Sequence, residues 1–95
     1  MFRYALLSLA FLSSPALAAG FQAQTNAAPS SARFVARDSI WRCAETACVS
    51  TNATSTRPAI VCSALARQVG ALRSFAVDGR PFDARQLETC NGRAR

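Results

Sequence analysis

The chain has 95 residues, five acids, no histidine and eleven basic residues, all arginine, for a formal charge of +6 at pH 7. Without histidine there is no Ser-His or Cys-His couple, and Asp38, Glu45, Asp78, Asp83 and Glu88 stand in separate contexts that make no acid–base pair, so no catalytic residue is assigned. Hydrophobic residues reach 51%, but alanine and an N-terminal apolar run supply much of that share, and one small domain is the most the remainder can build.

Residues 1–18, MFRYALLSLAFLSSPALA, carry a positive charge at Arg3, an apolar run from Ala5 to Leu12 and small residues at Ala16 and Ala18. This is the layout of a secretory signal peptide cleaved after Ala18, with Ala19 as the alternative. The run is shorter than the roughly 18 to 20 residues that cross a bilayer, so no transmembrane anchor is expected. Residues 19–32, AGFQAQTNAAPSSA, are uncharged and aperiodic and read as a flexible linker. The folded domain is placed at 33–92, followed by a basic tail at 93–95.

FVARDSIWRC, from Phe34 to Cys43, favours an extended strand with Val35, Trp41 and Cys43 on one side. AETA serves as a four-residue connection and CVST returns antiparallel, so 34–51 forms a hairpin. After the polar TNATST, Pro58 suits the first turn of a helix. Val61, Cys62, Leu65, Val69 and Leu72 then fall on one arc, Ser63 and Arg67 point away, and Gly70 weakens or ends the last turn. SFAV reads as a short strand, Asp78-Gly79 as a turn, and Pro81 limits any return strand. Asp83 and Gln86 form a capping box, Phe82 can staple onto Leu87, Asn91-Gly92 supplies the stop, and Leu87 and Cys90 share a face. The fold class is therefore α+β: a small disulfide-stapled domain with a β-hairpin, an amphipathic helix, a short strand and a C-terminal helix.

Four cysteines allow three pairings. Zinc sites present two close Cys pairs, whereas only Cys43 and Cys48 are close here, so no metal is assigned. A thioredoxin-like couple needs C-x-x-C at a helix start, and this spacing is C-x-x-x-x-C. Opposed positions in an antiparallel hairpin lie within disulfide reach, which pairs Cys43 with Cys48 and leaves Cys62 with Cys90 to join the two helices. Loop-closure entropy makes these bonds worth about 2 and about 3.6 kcal/mol. Trp41 is expected to pack against the hairpin staple or to shield one face of the sheet. Ser63 reads as a solvent-facing helix residue rather than a nucleophile, and the sequon Asn52-Ala53-Thr54 is assigned no role.

Ten arginines remain after the leader is removed, from Arg33 to Arg95, and they form no run. They read as an arginine-rich soluble surface in which RAR and the loop arginines keep an anionic surface in view; no specific nucleic acid is expected. Taken as a set, IWRC, CV, RPAIVC with its helix to VGAL, SFAVDGRPFD and LETCNGRAR resemble an uncharacterised family of small exported alphaproteobacterial proteins with four cysteines in this order. The likeness spans Phe34 to Ala94. It implies a bacterial periplasmic or secreted setting and brings no activity or cofactor with it. The expected role is a non-enzymatic binding or structural component of the cell envelope, whose partner is an unknown protein or envelope component. The alternative is a cationic module on anionic envelope lipids or polysaccharide.

Overall fold

A computed structural model describes residues 20–51 and 56–94. The expected leader at 1–18, the sequon at Asn52 and Arg95 of the expected basic tail lie outside them. Six strands, β1 (Phe21–Thr25), β2 (Arg33–Ala36), β3 (Ser39–Ala44), β4 (Ala47–Ser50), β5 (Leu72–Val77) and β6 (Arg80–Pro81), make one antiparallel sheet in the order β2-β3-β4-β1-β5-β6. Two helices, α1 (Pro58–Val69) and α2 (Ala84–Asn91), pack on one face of it. The α+β class with two staples is as the sequence predicts.

The expected linker at 19–32 is a correction. Its residues 21–25 are β1, which pairs with β4 on one side and β5 on the other. Phe21, Ala23 and Thr25 are buried, while Gln22 and Gln24 turn to the opposite face. Alternation over only five residues, carried by Ala, Gln and Thr, is too short and too weakly apolar to stand out from a polar linker. The folded unit therefore includes Gly20, whose N–H donates to Asp78 Oδ1 (2.7 Å) and whose carbonyl accepts from the Asp78 N–H (2.8 Å).

A second correction concerns the first hairpin. Arg37 and Asp38 are a turn between β2 and β3, so Phe34 opposes Trp41 and Val35 opposes Ile40. Directly opposed residues share a face. Phe34 thus joins Trp41 on the core side, and Val35, expected beside Trp41, is 58% exposed on the other. A two-residue turn resets the parity that an uninterrupted strand would have kept. The AETA connection likewise tightens to Glu45-Thr46, because Ala44 and Ala47 still pair.

The core centres on Trp41, fully buried among Phe21 and Phe75 with ring centroids 6.2 and 6.4 Å away, and Phe75 in turn meets Phe82 at 4.8 Å. From the helices come Val61, Cys62, Leu65, Ala66 and Cys90. Gly70 (φ 93°) ends α1 with its N–H on Ala66 O, so Leu72 reaches the core from β5 rather than from the helix. The Asp83–Gln86 capping box is present. α2 ends at Asn91-Gly92 as expected, and the Asn91 side chain adds a tie to the sheet, donating to Leu72 O and accepting from Leu72 N–H, both at 2.9 Å. Gly92 stays right-handed at φ −62°.

Candidate binding surface

The four cysteines predicted as disulfides are all bonded and all buried. Cys43 and Cys48 face one another across β3 and β4 with Cα atoms 4.0 Å apart. The Cys43 N–H points away, to Ala32 O at 2.8 Å, which makes this the pair without mutual backbone bonds, where opposed side chains come closest. Cys62 and Cys90 join α1 to α2 with Cα atoms 5.7 Å apart. With every sulfur committed, these residues act as staples. Cys43 lies two positions beyond Trp41, on the same face of β3.

Three of the five acids hold backbone or loops in place. Asp78 accepts from Gly20, Asp83 accepts from the Gln86 N–H at 2.8 Å, and Asp38 accepts from the Thr56 hydroxyl at 2.9 Å. The positive φ of Asp78 (51°) and Gly79 (85°) is the turn geometry that the Asp-Gly pair predicts.

The face of the sheet away from the helices is left open for recognition among the described residues. A row of side chains crosses it from Arg33 through Arg42, Val49, Gln22 and Ala76 to Pro81. One step along β2 and β3 stand Val35 and Ile40, 58% and 52% exposed, while Val49 is 39% exposed. Arg33, Ile40, Arg42, Val49 and Thr51 enclose a shallow recess of about 340 Å³. Among the described residues, no strand contains an acid. Arg33 and Arg42 therefore oppose each other as like charges, an arrangement that weakens a sheet. Their meeting was illegible in the sequence, because two arginines nine positions apart become neighbours only through the β2–β3 turn. A separate groove of about 880 Å³ opens between the start of α1 and the β5–β6 hairpin, with Arg57, Arg80, Phe82 and Gln86 on its walls. Among the described residues, no helix is long and apolar enough to cross a membrane.

A model for a family of unknown function (DUF8200) matches residues 5–92, and the chain belongs to that family. No curated protein and no solved structure matches it.

Proposed function

Starting from membership of that uncharacterised family, we propose that the protein is exported and works as a non-enzymatic binding component of the cell envelope, in the periplasm or outside the cell. The observation that carries this reading is the pair of buried disulfides, which persist in oxidising compartments and are rare in the cytosol. The leader pattern at 1–18 supports the same compartment. The absence of histidine and the structural duties of Asp38, Asp78 and Asp83 support binding over catalysis. Expression of the whole chain in a bacterial host tests it. The expected product lies outside the cytoplasm, begins at Ala19 and carries no free thiol by non-reducing mass spectrometry. A cytoplasmic product with an intact leader and free thiols overturns the proposal.

A second, narrower reading rests on the open sheet face, namely docking on anionic envelope lipid. Arg33 and Arg42 supply phosphate-binding forks, and Val35, Ile40 and Val49 supply an aliphatic surface that a polysaccharide would leave in water. The oxidised protein should co-sediment with anionic vesicles at low salt, detach near about 0.5 M salt, and lose binding in the Arg33→Gln/Arg42→Gln variant. Binding that ignores both salt and the substitutions refutes this reading and leaves the first intact.

A further inference from the structure

The fold gathers three more arginines in a second place. Arg37 from the β2–β3 turn, Arg67 from the last turn of α1 and Arg93 from beyond α2 line one recess of about 240 Å³. Ser63 lines it too, one helical turn before Arg67 on the same face of α1, and Ile60 and Ala64 supply an apolar wall. Among the described residues, no carboxylate lines the recess and no acid forms an ion pair with Arg37, Arg67 or Arg93. Asp38, the acid next to Arg37 in sequence, accepts from the Thr56 hydroxyl.

The arrangement is held from three sides. Arg37 sits at φ 59°, in the two-residue turn that the β2–β3 pairing closes on both sides. Ser63 follows Cys62 directly. Arg93 follows Cys90 by three residues and donates its N–H to Cys90 O at 3.1 Å. The Cys62–Cys90 staple thus sets the wall carrying Ser63 and Arg67 against the segment carrying Arg93.

We propose that this recess binds a phosphate monoester. Guanidinium groups keep their charge throughout the physiological range and present planar forks that match phosphate oxygens two at a time. Three of them lining one recess, with no carboxylate among its described lining residues, call for a multiply charged anion. The Ser63 hydroxyl adds a neutral donor, and Ile60 and Ala64 offer the ester carbon an apolar neighbour, which inorganic phosphate would not use. Two sources share this chemistry, a soluble phosphomonoester and the headgroup of a lipid such as phosphatidic acid. The recess shares no residue with the open sheet face, so either can fail alone.

The test uses the oxidised protein with both disulfides intact, at fixed ionic strength, and follows the Nε–Hε resonances of Arg37, Arg67 and Arg93. Glycerol 3-phosphate should shift the three together and saturably. Arg67→Gln should weaken binding by about tenfold, and Arg93→Gln, outside either helix, should do the same and guard against a folding defect. Arg85→Gln, an equal charge loss away from the recess, should change affinity by less than about twofold. Response to phosphatidic acid vesicles but not to glycerol 3-phosphate, lost in Arg67→Gln and kept in Arg33→Gln/Arg42→Gln, assigns the site to the lipid headgroup. No saturable response to either source, or equal weakening by Arg85→Gln, overturns the proposal.

Discussion

Gly20 is the residue on which the start of the fold turns. Its φ of 96° lies where side chains are rarely accommodated, and a Cβ built on it would run into the backbone carbonyl of Ser50. Gly70 has a similar φ of 93°, yet a Cβ there meets nothing within 4 Å. The two positions separate conformational strain from collision. Gly70→Ala should cost about 1 to 2 kcal/mol, the strain alone, and Gly20→Ala about 3 kcal/mol or more because backbone must also move. Urea unfolding of the oxidised variants measures both, and equal losses would show that the Ser50 contact relaxes freely. Neither cost is visible from sequence, since Gly20 stands in a stretch that reads as linker. Trp41 and Ser39 are harder still to read. Both are buried on β3, and the indole N–H and the hydroxyl find no hydrogen-bond partner among the described residues. A lone tryptophan in a sequence announces a core, not which of its atoms goes unmatched.

The helices were the most legible elements because their signals are local. Pro58 stands at the first turn of α1, Gly70 at its end, and the Asp83–Gln86 box opens α2, each within a few residues of what it governs. The staples followed from the same local reading combined with the hairpin register. They do different work. Cys43–Cys48 closes a hairpin whose strands are already paired, with β4 held on its far side by β1. Cys62–Cys90 holds α2, a helix of eight residues that buries only its cysteine and is too short to persist alone. Replacing both members of the helix pair by alanine should therefore lower stability by about 3 to 4 kcal/mol, against about 2 for the hairpin pair. Hydrogen exchange should show α2 losing protection before β3 and β4 in the first variant. The reverse order would mean that the Asn91–Leu72 bonds, not the sulfur, secure the helix.

At the scale of the whole molecule, the class and the order of elements from Pro58 onward could be read in advance, whereas the sheet could not. Its six strands form one layer only because β1 lies between β4 and β5, which do not pair with each other. Pairing between residues so far apart leaves no mark in either stretch, and the same holds for the arginines that meet across turns and helices. A chain beginning at Arg33, which composition alone would call the complete domain, should fail to fold even when oxidised. Circular dichroism and exchange broadening would report the failure, and a cooperative thermal transition in that fragment would contradict it. The placement of β1 also bears on how the protein is made. The strand that leaves the ribosome first must wait for Val77, its partner near the other end, before the slot between its two neighbours exists. The six-stranded sheet thus cannot be completed until most of the chain has been made. A late-closing sheet would serve the export proposed above, since a translocation channel accepts only chain that has not yet closed on itself.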